Sequence, residues 1–199
     1  MEGHNFNTSR QTLYIKNMVS NSCIRVVKES FQRIAFIEVI RIELGEADVQ
    51  FDPNIISLGF LDELLNKDGF ELIHDPTHRL VEKIKTAVIQ LVFYGSNTNS
   101  LIRNSDYLSE KLGHPYPYLS KLFSEMTGST LEKYIILIKV EKIKELISYE
   151  QFTLSEVAFQ MGYSSVQYLS NQFKQVTGLT VSDYKSRFHE RKPLSRLLD

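Results

Sequence analysis

Cysteine is almost absent from this chain: Cys23 is the only one in 199 residues, so no intrachain disulfide forms and a structural zinc site built from several thiolates is excluded. Long apolar runs are also lacking. The longest, such as Tyr134 to Ile138, fall far short of the roughly 20 residues a membrane-spanning helix needs. No basic-then-apolar leader opens the sequence, and a cytoplasmic protein with no membrane attachment is expected. There is no glycine-rich phosphate loop, no His-Glu-x-x-His pair and no Gly-x-Ser-x-Gly elbow, so neither enzymatic activity nor a cofactor is expected. A large charge excess is missing too, the formal net charge being -1. A partner bound through phosphates therefore needs locally concentrated Lys and Arg.

What is present suffices for folding. The chain is 42% hydrophobic and 24% charged, too rich in large apolar groups for a disordered segment, and its length fits two small domains. Charge is uneven. Residues 1–95 hold 10 Lys and Arg against 13 Asp and Glu, and residues 96–199 hold 13 against 11, so the halves carry -3 and +2. Lys185, Arg187, Arg191, Lys192 and Arg196 make the end the most basic part, either as a solvated tail or as a phosphate grip. The polar, uncharged run Gly95-Ser96-Asn97-Thr98-Asn99-Ser100 reads as a linker, dividing the chain into domains 1–95 and 96–199.

In the first domain, alternation at Thr12 to Met18 and Ala47 to Phe51 and the Ile and Val content of Ala35 to Leu44 predict strands, with a last short one at Gly69 to His74. Helical spacing at Cys23 to Arg33 and Ile55 to Asn66 predicts helices. The order βαββαβ predicts a ferredoxin-like sheet of four antiparallel strands on two helices. A further helix over His78 to Tyr94 has an apolar face that must pack on something.

The second domain reads as all-α. Helices are expected at Leu101 or earlier to Arg103, Asp106 to Leu112, Tyr116 to Met126, Leu131 to Ser148, Leu154 to Met161, Ser165 to Val176 and Val181 to Phe188, with Gly113, Gly128, Gly162 and Gly178 at the breaks. An internal repeat runs through it. Tyr118-Leu119-Ser120, Phe123, Thr127-Gly128, Thr130 and Tyr134 recur 50 residues later as Tyr168-Leu169-Ser170, Phe173, Thr177-Gly178, Thr180 and Tyr184. The short helices upstream match at an offset of 49, which makes one turn a residue longer. Each copy is a short helix, a glycine turn and a longer helix, the outline of a helix-turn-helix. Leu108, Leu112, Leu119, Leu122 and Phe123 form the expected core of the first copy, and Val157, Met161, Leu169 and Phe173 that of the second. Small Ser109 and Ala158 lie where the helices cross.

These residues resemble the DNA-binding domain of AraC-type transcriptional regulators over about residues 98 to 190. The markers are Leu108 to Gly113, Tyr118 to Phe123 with Thr127-Gly128, the long linking helix, Glu156-Val157-Ala158 through Met161-Gly162-Tyr163, and Phe173-Lys174 before Thr177-Gly178. The resemblance implies a bacterial transcription regulator whose two second helices enter successive major grooves of double-stranded DNA, with RNA polymerase as a further partner. Base contacts would come from Pro117, Ser120 and Lys121 in the first copy and from Ser165, Gln167, Ser170 and Asn171 in the second. Lys174, Lys185 and Arg187 would hold phosphates. Lys139 and Ile143 stand where the family carries Arg and a small residue, and Val181 and Lys185 where it carries Pro and Arg. Lys keeps the charge but loses the bidentate fork, so weaker backbone contacts are expected. The alternative reading of the repeat is a protein-interaction adaptor that binds no DNA.

Residues 12 to 75 are similar to heavy-metal-associated domains, whose metal loop Met-x-Cys-x-x-Cys corresponds to Met18-Val19-Ser20-Asn21-Ser22-Cys23. Ser20 replaces the first thiol, so Met18 and Cys23 are weak ligands and no metal is expected. Dimerisation or ligand sensing, a Cys23 redox or weak metal sensor, and an organic-ligand pocket remain as readings of this half. His4, His74 and His78 read as surface histidines.

Overall fold

Residues 8–95, 104–148, 152–186 and 194–198 are described by the computed structural model, and they form a mixed α+β architecture, with strands and helices interleaved in the N-terminal part and helices alone among the described residues after it. The chain divides into two units, residues 1–86 and 87–199. That limit falls inside a helix, whereas Ser96 to Ser100 of the expected linker lie outside the described residues, as do His4, the expected helix at Leu101 to Arg103, and Arg187 to Lys192.

The first unit follows from alternation. Strand β1 (Ser9–Lys16) buries Leu13 and Ile15 and leaves Arg10 and Thr12 outward. It pairs antiparallel with β3 (Glu46–Phe51), Ser9 opposite Phe51 and Tyr14 opposite Glu46. Strand β2 (Ile37–Glu43) lies on the far side of β3, with a bulge between Val39 and Arg41. The two-residue β4 (Glu71–Leu72) pairs with β1, giving the sheet order β2-β3-β1-β4. Helices α1 (Asn21–Gln32) and α2 (Leu58–Lys67) supply Val27, Phe31, Leu61 and Leu65 to a core shared with Ala47, Val49 and Phe51. Each fully buried large apolar side chain contributes about 1.5–3 kcal/mol relative to exposure.

The opposite face of the sheet is ionic. Asp48 is 6% exposed and accepts from Thr12 Oγ1 at 2.7 Å, Arg41 Nε at 3.0 Å and Arg10 at 3.2 Å. Helix α3 (Pro76–Ile89) meets this face through Lys83, 3.4 Å from Glu46, and through Arg79 and Lys83 above the Tyr14 ring.

Several element ends differ from the sequence reading. Strand β1 starts earlier and stops at Lys16 because Asn17 turns into left-handed backbone (φ 71). Helix α2 starts at Leu58, since the Ser57 side chain caps it by accepting from Phe60 N while Asp52 holds the preceding turn. The last strand is cut short because Asp75 accepts from the N–H groups of Thr77 and His78 and starts α3. That helix is α-helical only to Ile89, with a π-helical turn over Gln90–Tyr94.

In the second unit come α4 (Asn104–Leu112), α5 (Tyr116–Thr127), α6 (Leu131–Ser148), α7 (Leu154–Gln160), α8 (Val166–Thr177), α9 (Val181–Ser186) and a 3-10 turn at Leu194–Arg196. Helix α6 is the centre. Its buried side chains, among them Tyr134, Ile138, Val140, Ile143 and Ile147, point in all directions around the axis. Such a helix is stable only when packed on every side, and α5, α7, α8 and the Gln90–Tyr94 turn all contact it.

Candidate nucleic-acid interface

The repeated residues explain why α4–α5 and α7–α8 take the same local form. Leu119 and Phe123 of α5 are fully buried, as are Leu169 and Phe173 of α8. The Phe123 ring packs on Tyr134 at 5.3 Å between centroids, and Phe173 on Tyr184 at 5.5 Å. After each helix, Thr127 and Thr177 donate back to the carbonyls of Phe123 and Phe173 at 2.7 and 2.8 Å. Gly128 and Gly178 then take φ of 69° and 75°, backbone that costs an ordinary L residue about 1–2 kcal/mol. Thr130 and Thr180 cap the next helix by accepting from Lys133 N and Asp183 N. Helix α7 starts on a capping box, with Thr153 and Glu156 satisfying each other's backbone N–H. These bonds hold the Glu156 carboxyl below the usual range.

Burial of Leu119 and Phe123 turns Pro117 and Lys121 outward, and burial of Leu169 and Phe173 does the same for Gln167 and Asn171. Ser120 and Ser170 sit half-buried at the edge of these faces. Lys121 Nζ lies 3.8 Å from Glu125 in an exposed ion pair, a contact that holds the side chain only weakly in water. Gln167 Nε2 donates to Asn171 Oδ1 at 2.9 Å, so these two amides are linked along one helix face. Ser165 is the N-cap of α8 and its Oγ accepts from Tyr168 N at 3.1 Å. Lys174 and Lys185 are exposed on α8 and α9. Arg187 lies outside the described residues.

Three features escaped the sequence reading. Lys139 does not face outward with the other cations: half-buried on α6, it donates to the Met161 carbonyl at 3.2 Å and lies 5.5 Å from the Tyr163 ring. Burial pushes its pKa down. Tyr163 in turn donates to Gln172 of α8 at 2.5 Å, and burial raises its phenol pKa to about 12. Helix α6, the turn and α8 are thus joined by polar contacts that nothing in the linear spacing announced. The second feature is a pair of exposed tyrosines, Tyr118 at 49% and Tyr168 at 55%, which the repeat flagged as identical without saying that they face solvent. The third is Phe159, exposed on α7.

In the first unit, Met18 is 2% exposed within the hydrophobic core, where its thioether is packed away from solvent. Cys23 Sγ and Ser20 Oγ are 3.4 Å apart. His74 and His78 are exposed, and His78 Nδ1 lies 3.0 Å from Asp75. Among the described residues, no helix is long and apolar enough to cross a membrane.

The described residues of the second unit thus hold two short helix pairs with equivalent cores, joined by a central helix and each presenting the outer face of its second helix. Residues 108–187 match the helix-turn-helix domain family, and the AraC-type resemblance holds in this C-terminal region. The chain is similar to the xylose operon regulatory protein of Escherichia coli strain K12, 29% identical over 135 residues that cover 63% of this chain and 34% of that protein. It is also similar to an uncharacterized HTH-type transcriptional regulator in the cgkA 5' region of Pseudoalteromonas carrageenovora, 28% identical over 107 residues, covering 53% of this chain and 63% of that protein. Among solved structures, the C-terminal domain of AraT, a response regulator from Geobacillus stearothermophilus, shares 22% identity over 58% of this chain and 89% of its own, with a TM-score of 0.44. The chain thus spans less than two thirds of the length of either curated relative.

Proposed function

We propose that this protein is a sequence-specific, DNA-binding transcriptional regulator in which α5 and α8 are two recognition helices set in successive major-groove segments of one duplex. The observation that carries this reading is the outward face of each second helix, polar and free of core packing, repeated on two units built alike. Helix α6 supplies the spacing. Its 18 residues span about 27 Å at 1.5 Å per residue, comparable to the roughly 34 Å between groove segments one helical turn apart.

Base contacts are assigned to Pro117, Ser120 and Lys121 on α5, and to Ser165, Gln167, Ser170 and Asn171 on α8. Because Gln167 already donates to Asn171, the pair offers an acceptor at Gln167 Oε1 and a donor at Asn171 Nδ2. That combination complements the N6 donor and N7 acceptor of one adenine. Lys121 suits guanine, while Lys174, Lys185 and Arg187 are assigned to phosphates, which fix register without reading sequence. The Ser165 hydroxyl accepts from the helix and keeps its own proton to donate.

The strand order β2-β3-β1-β4 with α1 and α2 on one face supports a ferredoxin-like reading of the first domain, to which we assign dimerisation or ligand sensing. Burial of Met18 argues against a metal role for the Met18 and Cys23 loop. Selecting duplexes from a randomised pool with the full chain tests the regulator reading: two separate preferred segments about one helical turn apart support it. Failure to enrich any sequence would instead favour the adaptor.

A further inference from the structure

Eight identities at an offset of 50 residues relate the longer helices of the two copies and the turns and helix starts after them, and the fold accounts for six of them. Leu119 and Leu169, Phe123 and Phe173, and Tyr134 and Tyr184 are buried. The Thr127 and Thr177, Gly128 and Gly178, and Thr130 and Thr180 pairs close one helix and open the next. What remains is Ser120 with Ser170, half-buried, and Tyr118 with Tyr168, half exposed. A serine hydroxyl serves base edges and phosphates alike, so the tyrosines carry the argument.

No packing demand explains why the same large aromatic residue recurs facing solvent. The positions at the middle of the outward face follow the opposite pattern: Pro117, Lys121, Ser124 and Glu125 of α5 correspond to Gln167, Asn171, Lys174 and Gln175 of α8, with no identity among them. Three residues along an α-helix amount to about 60° of rotation, so each tyrosine flanks the central reader, Lys121 or Asn171, on one side. Each ring also has an aromatic neighbour from the preceding turn. His114 lies 5.3 Å from Tyr118 and Tyr163 lies 5.8 Å from Tyr168, centroid to centroid, and these two neighbours are themselves equivalent in the repeat. Such contacts restrict the ring before any partner arrives and reduce the entropy lost on binding.

Two groove segments differ in their bases and share their backbone. Residues that differ between the copies therefore match what differs in the duplex, and exposed residues that are the same match what is the same. We propose that Tyr118 and Tyr168 are a matched pair of backbone contacts, each phenol donating its proton to a phosphate oxygen on the wall of the groove its helix enters. A hydroxyl donating to an anionic oxygen forms a short, charge-assisted bond, and tyrosine is among the side chains that make such contacts. The inference rests on the double helix-turn-helix reading and assigns two residues which that reading left without a role.

The test uses the full chain, a duplex recovered by randomised-site selection with the wild type, and a random-sequence duplex of equal length. Tyr118→Phe and Tyr168→Phe remove only the hydroxyl. Each is expected to lower affinity about three- to tenfold on both duplexes by the same factor, with an unchanged melting temperature and unchanged base preferences. The salt dependence of binding should also stay the same, because a neutral phenol releases no counterion. Replacing phosphates one at a time by methylphosphonates supplies a second measurement. One position per tyrosine should weaken the wild type but not the corresponding Phe variant. A shift in base preference in either variant, or unchanged affinity on both duplexes, overturns the proposal. A wild type that binds and selects no duplex overturns the regulator reading itself and this inference with it, a result distinct from the other two.

Discussion

Lys121, Asn171 and Lys174 look alike to a hydropathy plot, yet their positions on α5 and α8 predict different phenotypes. Lys121→Ala and Asn171→Ala should each weaken specific binding by about 1–3 kcal/mol and relax base preference at separate positions. Lys174→Ala should lower affinity uniformly and reduce the salt slope by about one charge. Randomised-site selection with each variant checks the assignment, and unchanged preferences in both reader variants would sink it. Lys139 belongs to neither class. Its ammonium is spent on the Met161 carbonyl, so Lys139→Met should cost about 1 kcal/mol of stability and leave the salt slope on random duplex untouched, as followed by thermal melts and titrations in increasing salt. Asp48 gives a pH prediction. Hydrogen bonds from Thr12 and then Arg41 hold its pKa at about 2, against an ordinary 3.8. A carboxyl whose folded pKa is depressed adds stability above its unfolded pKa and loses it as pH falls through the folded value. The resistance of the wild type to chemical denaturant should therefore fall between pH 3.8 and about 2, and Asp48→Asn should flatten that part of the profile.

At the level of elements, the ends of helices are where this sequence spends its specialised residues. Thr153 and Glu156 cap α7 reciprocally, and Thr153→Ala should cost about 1 kcal/mol. The two left-handed glycines offer a cleaner comparison. A Cβ at Gly128 or Gly178 would meet nothing within 4 Å, so any penalty in Gly128→Ala or Gly178→Ala comes from φ alone. Equal losses of about 1–2 kcal/mol in the two variants are expected from denaturant unfolding. A markedly larger loss at one site would mean that the turns are not equivalent. The same elements show what the sequence could announce. Repeated Thr-Gly-x-Thr fixed the helix breaks because caps and left-handed turns are local chemistry. The early stop of β1 at Asn17, the two-residue β4 and the π-helical turn at Gln90–Tyr94 were not legible, since each depends on which competing partner captures a backbone group.

For the whole molecule, the division between the units matters most. The turn at Gln90–Tyr94 contacts α6, and Lys142 lies over the Phe93 ring at 5.1 Å. We therefore expect a fragment from Pro76 to Asp199 to melt at a higher temperature than one from Ser96, both remaining helical by circular dichroism. Equal melting temperatures would show that the Gln90–Tyr94 packing adds nothing to the second unit. The sequence by itself determined the βαββαβ order, the repeated pairing of a short helix with a longer one and the fully buried Leu119, Phe123, Leu169 and Phe173. Periodicity and repetition are written along the chain, and burial of an apolar stripe follows from them wherever the stripe finds a partner. Only the tertiary structure decided that Lys139 braces the end of α7 through the Met161 carbonyl. It also decided that Tyr118 and Tyr168 face outward while Met18 faces in. Each of these is fixed by which surface arrives from a distant part of the chain, and side-chain direction relative to a distant neighbour leaves no mark in the spacing of residues.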